Sequence, residues 1–235
     1  MDKIYGRKPI LETIDAGIKI HKAYIIKQNT PIVEKIIEKL RAKNVEIKFV
    51  NKDFFDKIDM NHQGVMVEVD SYNYKSINDI KDATRLILLD KIEDPHNLGA
   101  IIRSAESFGF DAVIIPERRS AKVTATVYKT SAGAINNIDL VMVTNLNKTI
   151  EKLKDNGFWV YGLAGEATNK LSETDLSGKV ALVVGNEAEG ISRLTREKCD
   201  SLVKIPMIGK VNSLNASVAS AIAMYEVIRD NGEKS

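Results

Sequence analysis

Cysteine is nearly absent from this chain of 235 residues, in which Cys199 stands alone. One thiol can neither close an intrachain disulfide nor build a cysteine-rich zinc site, and such sparing use suits a reducing compartment. Histidine is scarce as well. His96 has no evident triad partner and His21 and His62 belong to the first part of the chain, so neither a histidine triad nor a metal site is expected. Long apolar runs are missing: nothing approaches the ~18 residues of a membrane span. Met1 to Lys8 lacks the apolar core of a signal peptide, which makes the cytoplasm the expected location. Charge of one sign is not in excess either, with 34 basic against 32 acidic side chains. Bulk charge therefore announces no polyanion partner, and a nucleic-acid role would need local basic patches.

Glycine-rich nucleotide fingerprints are also lacking. No G-x-G-x-x-G follows an apolar run. Gly185 to Ser192 has the glycine spacing of a phosphate loop, but Ile191 occupies the lysine position, and Glu187 and Glu189 would repel phosphates. Nucleoside triphosphate and dinucleotide binding are disfavoured.

What is present is an ordinary globular composition, 44% hydrophobic and 28% charged, on a chain long enough for one or two domains. The first seventy residues alternate helix and strand patterns. Ile10, Leu11 and Ile14 suggest a helix, Ala23 to Ile26 a strand, and Ile32, Val33, Ile36, Ile37 and Leu40 a second helix. Val45 to Val50 and Gly64 to Val69 suggest two further strands. A polar stretch from Asp70 to Asp82 reads as a linker with room for a helical turn, which puts a boundary near residue 74. Two domains are expected, 1–74 and 75–235.

Beyond the linker come six apolar runs: Leu86–Leu89, Ala112–Ile115, Leu140–Val143, Phe158–Leu163, Val180–Val184 and Leu202–Ile205. Helical patterns separate most of them, so the second domain is expected to be α/β and doubly wound, with a mainly parallel six-stranded sheet. Its first helix carries the stripe Leu98, Ile101, Ile102, Ala105 and Phe108, with Asn97 as the expected N-cap and Gly109 as the stop. Arg103 falls off that stripe, and His96 reads as a loop residue. Lys129 to Ala134 is expected to open a helix, and Arg118, Arg119, Lys122 and Lys129 form a candidate phosphate-contacting patch.

The stretch from Lys179 to Ser220 organises this half. Two strands each deliver a polar loop, Gly185 to Gly190 and Lys210 to Ser217, to one sheet edge, where open α/β sheets bind ligands. Asn212 or Ser213 could cap the small-residue helix that follows. Asn215 fits that reading less well, because an amide inside a first turn competes with the helix.

Three segments in order carry a resemblance: Asn97-Leu98-Gly99-Ala100-Ile101-Ile102-Arg103-Ser104-Ala105, Leu182 to Ile191, and Ile205-Pro206-Met207 with Asn212 to Ser217. Together they resemble the motifs of the SpoU/TrmH branch of the SPOUT RNA 2′-O-ribose methyltransferases. Ile4-Tyr5-Gly6-Arg7 through Glu12, and His62-Gln63-Gly64-Val65, resemble the substrate-binding domain of the RlmB-type 23S ribosomal RNA guanosine 2′-O-methyltransferases.

The resemblance implies a small amino-terminal α/β RNA-binding domain and a SPOUT catalytic domain with a deep trefoil knot. It also implies a homodimer built on that domain and S-adenosylmethionine as cofactor. Gly185, Ile205 and Leu214 match cofactor-binding positions, and Asn97, Arg103, Glu187 and Asn215 the polar catalytic set, with Ser213 beside them. Arg103 is often cast in the family as the proton acceptor, but a guanidinium stays charged at ordinary pH. The expectation is that Arg103, oriented by Glu187, fixes a phosphate and stabilises the developing alkoxide, while Asn97 and Asn215 position ribose and loop. Rival readings are a transfer RNA ribose methyltransferase, a resistance enzyme acting on another ribosomal RNA site, a non-catalytic RNA-binding assembly protein, and a small-molecule Rossmann enzyme.

Overall fold

The computed structural model describes every residue except 28, 29, 57, 59, 60, 211, 212 and 233–235. The chain divides into two compact units, Met1–Asn73 with Val123–Lys129, and Tyr74–Lys122 with Thr130–Ser235.

In the amino-terminal unit β1 (Asp2–Tyr5), α1 (Arg7–Asp15), β2 (Ile20–Ile26), α2 (Pro31–Ala42), β3 (Glu46–Val50) and β4 (Val65–Val69) form a four-stranded sheet in the order β1-β4-β2-β3. β4 runs antiparallel to both of its neighbours, and β2 pairs with β3 in parallel. Alternation along β2 explains the layering. Ala23 and Ile25 join Ile10 and Ile14 of α1 and Val33, Ile36 and Leu40 of α2 in one core. Tyr24 belongs to the other face and stacks on Phe54, with ring centroids 5.0 Å apart. β1 escapes sequence reading because it is a four-residue edge strand with two exposed residues and no apolar run.

In the larger unit the elements are β5 (Arg85–Asp90), α3 (Pro95–Ser107), β6 (Ala112–Pro116), α4 (Ala125–Thr130), β7 (Asp139–Val143), α5 (Leu146–Asp155), β8 (Trp159–Leu163), β9 (Asn169–Lys170), β10 (Val180–Gly185), α6 (Arg193–Lys198), β11 (Ser201–Lys204) and α7 (Ala216–Gly232). Most of α4 groups with the amino-terminal unit. The sheet runs β7-β6-β5-β10-β8-β11-β9 with every named pair parallel. It has seven strands where six were expected, because β9 is a pair of exposed polar residues that no apolar run marks.

Both faces are covered, as continuous apolar runs require. Leu86, Leu88, Ala181 and Val183 pack with Leu146, Ile150 and Leu153 of α5 on one face. The alternating residues Ile87, Leu89, Leu182 and Val184 are buried as well, and α7 packs on β10 and on α3. The linker carries a 3₁₀ turn, Ile77–Ile80, closed by a capping box between Ser76 and Asp79.

Three local expectations are corrected. Asp94 caps α3, its side chain accepting from His96 N–H, with Pro95 in the first turn. Asn97 therefore lies inside the helix, and His96 belongs to its first turn rather than to a loop. Lys129 and Thr130 close α4 instead of opening a helix. Gly133 then turns the chain at φ +87°, leaving only a 3₁₀ turn at Ala134–Asn136. Among the described residues no helix is long and apolar enough to cross a membrane.

Candidate active site

β5 and β10 are neighbours whose connections diverge, β5 leading toward β6 and β7 and β10 toward β11 on the opposite side of the sheet. Their last residues, Asp90 and Gly185, are register partners. Such a switch point opens a crevice at the carboxyl edge. Asp90 is buried there and accepts the Ser192 N–H at 2.8 Å, tying the end of β5 to the loop after β10.

That loop is a tight hairpin. A Cβ on Gly185 would lie 2.0 Å from the Gly190 carbonyl carbon, so no side chain fits. Asn186 Oδ1 accepts the N–H groups of Ala188 at 3.0 Å and Glu189 at 2.7 Å, and Gly190 N–H returns to the Asn186 carbonyl at 2.9 Å. Lys91 donates to Glu189 Oε2 at 2.7 Å. That hydrogen bond, helped by the charges of Lys91 and Arg119, holds the Glu189 carboxyl below the usual range. Glu187 is left exposed at the tip.

Three elements meet at Glu187. Its Oε1 accepts from Asn97 Nδ2 of α3 at 2.6 Å, from Asn215 Nδ2 at 3.2 Å and from Ala216 N–H at the start of α7 at 3.4 Å. Asn215 Nδ2 also donates to Asn97 Oδ1 at 2.9 Å, closing a triangle. Asn97 can reach this network because α3 buries it beside Leu98 and Ile101. Asn215 Oδ1 meanwhile accepts the Ser217 N–H at 2.9 Å, and the Asn215 carbonyl accepts the Ala219 N–H at 3.0 Å. It is therefore the cap of α7 and not an amide inside the first turn, which corrects the sequence reading. Of the two residues expected to cap α7, Ser213 lies two residues before Asn215 and Asn212 lies outside the described residues. A carboxylate at a helix N-terminus is favoured electrostatically, and the linked amides polarise one another.

Arg103 is not part of the triangle. It lies about 9 Å along the axis of α3 from Asn97. Its side chain is exposed and makes no hydrogen bond or ion pair with a described residue, so the expected Glu187–Arg103 pairing is not formed. Glu187 Oε1 is instead engaged by neutral amides, and Oε2 keeps its acceptor capacity.

Of the candidate cofactor positions, Gly185 is buried, and Ile205 and Leu214 are half-buried on the chain between β11 and α7. That segment exposes Met207 and the whole of Ile208. From Pro206 to Lys210, and at Ser213 and Leu214, the backbone makes no hydrogen bond with a described residue. The basic candidates are divided between the two units. Arg118 and Arg119 are exposed after β6, Lys122 folds back to donate to the Glu117 carbonyl at 2.6 Å, and Lys129 belongs to the amino-terminal unit. Burial also lowers the pKa of the Lys122 ammonium.

Asp90, Lys91 and Asn186 were missed in the sequence. The signals available were a carboxylate closing an apolar run and an amide after a strand-ending glycine. Burial pushes the Cys199 thiol up to about 12, so it is no thiolate nucleophile at neutral pH. Among the described residues no group of His, Cys, Asp and Glu could hold a metal ion.

Residues 84–225 match the model of the SpoU rRNA methylase family, and residues 3–75 match the RNA 2′-O ribose methyltransferase substrate-binding model. The chain belongs to the SpoU family. It is 38% identical over 237 residues to YacO of Bacillus subtilis, whose name places it among the TrmH-family tRNA/rRNA methyltransferases, with 97% of this chain and 95% of that protein covered. A TrmH-family relative from Staphylococcus epidermidis is 43% identical over 239 residues, covering 96% and 94%. Among solved structures, the AdoMet-bound rRNA methyltransferase of Sinorhizobium meliloti superposes with TM-score 0.65 at 25% identity, covering 97% of this chain and 86% of that one. The SpoU methyltransferase AviRb of Streptomyces viridochromogenes, solved with AdoMet, shares the fold with TM-score 0.66 at 22% identity, covering 98% and 90%. This SpoU-family chain is thus an RNA methyltransferase by kinship, and its α/β architecture is that of the solved members.

Proposed function

We propose that this SpoU-family protein transfers a methyl group from S-adenosylmethionine to a ribose 2′-hydroxyl of RNA, with a guanosine of 23S ribosomal RNA as the favoured target. The observation that carries the reading is the Asn97–Glu187–Asn215 triangle at the carboxyl edge of β5 and β10. The chain between β11 and α7 suits the cofactor: unengaged backbone groups can meet a base edge, and Ile205 and Leu214 offer apolar contact beside it. When bound, S-adenosylmethionine supplies a methyl group on a sulfonium sulfur.

The residues of the chain do the rest. The triangle fixes the hairpin tip against the starts of α3 and α7, a preorganised edge on which the ribose 2′-hydroxyl would be positioned for transfer. Transfer would form the oxygen–methyl bond as the methyl–sulfur bond breaks, the sulfonium leaving as a neutral thioether, and the hydroxyl proton would pass to an adjacent phosphate or to water. Arg103, exposed and without a partner among the described residues, is the cation that grips that phosphate and stabilises the alkoxide. Arg118, Arg119, Lys122 and Lys129 add phosphate contacts, and the first 74 residues present the RNA.

Exposed Val218 and Tyr225 on α7 support a homodimer through the larger unit, which we take to carry the family's knot. The lack of a membrane-spanning helix among the described residues is compatible with cytoplasmic work on ribosomal RNA. The test is transfer of labelled methyl groups to total RNA lacking the modification, with mapping of the labelled position. Label in a 23S guanosine is expected. Label confined to transfer RNA would move the target, and S-adenosylmethionine binding without any transfer would point to a non-catalytic RNA-binding protein.

A further inference from the structure

The amino-terminal unit holds a cavity of about 430 Å³ lined by Arg7, Ile26, Lys52, His62, Gln63 and Gly64. Its size falls in the range of small-ligand clefts. Among the described residues its lining is selective: two cations, one aromatic plane, one amide, one apolar side chain and no carboxylate.

The aromatic plane is braced from behind. The His62 ring stacks on Phe55 with centroids 4.5 Å apart and planes at 15°, and Phe55 is almost wholly buried. Phe55 in turn meets Phe54 edge-on, and Phe54 stacks on Tyr24. His62 Nδ1 accepts the Gly64 N–H at 3.0 Å, which fixes the ring's rotation and, in the neutral tautomer, leaves the ring proton on Nε2. One face of the imidazole is taken by Phe55, so its remaining face and Nε2 edge are what it can offer a ligand.

The rim is equally fixed. Gln63 adopts φ +48°, a left-handed conformation unusual for a side-chain-bearing residue. Arg7 stabilises it from two sides: its N–H donates to Gln63 Oε1 at 3.0 Å, and its Nε donates to the Gln63 carbonyl at 3.3 Å. Strain that the surroundings over-determine in this way is a frequent mark of ligand sites. The same bonds anchor the Arg7 guanidinium beside the cavity.

We propose that this cavity binds one unstacked nucleotide of single-stranded RNA, its base lying on His62 and its phosphate held by Lys52 and Arg7. A plane that stacks and cations that neutralise together select an anionic aromatic ligand, and a nucleotide is both. Paired bases within a duplex have both faces covered and cannot enter. The inference rests on the reading of the protein as an RNA methyltransferase and specifies what its amino-terminal unit recognises: a splayed-out base in a loop, bulge or strand end.

The test uses the full chain and fluorescein-labelled RNA of about ten nucleotides, single-stranded A or U runs against a duplex of equal length, read by anisotropy. His62→Ala should weaken single-strand binding by about tenfold or more, the usual effect of removing a stacking platform, while duplex binding is unchanged. His62→Phe restores a plane and should return affinity to within about threefold of the original. Lys52→Ala changes an exposed side chain and should lower the salt slope of binding by about one.

Should His62→Ala fail to fold, as judged by circular dichroism, the His62→Phe and Lys52→Ala arms decide. Single-strand affinity unchanged in His62→Ala or, for an unfolded His62→Ala, an unchanged salt slope in Lys52→Ala would overturn the proposal. So would free adenosine monophosphate competing as well as the RNA run, or no binding of the runs by the unaltered chain. Calorimetry with S-adenosylmethionine separates the two readings. Loss of cofactor binding in the unaltered chain would overturn methyl transfer and leave the cavity assignment standing, whereas insensitivity to His62 and Lys52 would do the reverse.

Discussion

The two loops that leave the larger sheet after β10 and β11 are built on opposite plans. The hairpin from Gly185 to Gly190 closes on itself, through a glycine contact that admits no Cβ, an Asn186 side chain that gathers two backbone N–H groups, and a Lys91 side chain that anchors Glu189. The segment between Lys204 and Ala216 is held at its far end, by Asn215, while Met207 and Ile208 face solvent and the backbone from Pro206 to Lys210 has no partner among the described residues. One loop is organised before any ligand arrives, and the other carries surface that a ligand can organise. Placing a charge at a set position needs the first plan, because a small misplacement of a reacting group costs orders of magnitude in rate. The proposed cofactor role asks for the second, because the edges of an adenosine require unspent hydrogen-bonding groups.

The largest effect is expected from Gly185→Ala. The added methyl would collide with the Gly190 backbone, which cannot retreat without opening the hairpin. Methyl transfer should fall below about 1% of the original, with a loss of about 4 kcal/mol in urea unfolding, as for other severe core clashes. Retention of both would show that the first loop is as adaptable as the second.

Leu214→Ala probes the other plan. Leu214 is half-buried, so its removal should cost less than about 1.5 kcal/mol of stability, whereas calorimetry should find S-adenosylmethionine bound about tenfold more weakly. A large stability loss with unchanged cofactor affinity would make this loop structural and erase the contrast.

The smallest effect belongs to Lys91→Met. Glu189 titrates low in the folded chain because of its hydrogen bond to Lys91, so the pairing contributes above the ordinary carboxylate value and is lost as pH falls through the lowered one. NMR titration should find the Glu189 carboxyl back in the usual range in the variant. The melting temperature at pH 7 should be unchanged, since the glutamate is exposed. A fall in melting temperature would mean that the hairpin leans on this ion pair more than on Asn186.

The parallel strands were legible because burial on two faces writes an unbroken apolar run, as in Leu86–Leu89 and Val180–Val184. β1 and β9 were not, because exposed short edge strands need no apolar residues. The polar residues Asn97, Glu187 and Asn215 could be chosen from their order in three motifs, yet their bonding could not. An asparagine after Pro95 looks like a cap until Asp94, one residue before the proline, is seen to hold that place. Charge complementarity suggested Glu187 with Arg103, but two carboxamides and a helix-end N–H converge on Glu187 Oε1 instead. Asp90 was invisible as a site residue because its role, accepting the Ser192 N–H, depends on β5 and β10 being neighbours across nearly a hundred positions of sequence.

The segment Val123–Lys129 groups with the amino-terminal unit although it lies fifty residues beyond the end of that unit's main stretch, and it buries Ala125 and Val127. The polypeptide therefore passes from one body to the other three times, and no single cut of the gene yields both halves whole. A clone begun at Tyr74 would carry an orphaned strip of its missing neighbour, with apolar side chains that had been covered. Dissecting this protein calls for splicing out that excursion with a short bridge as well as trimming the front.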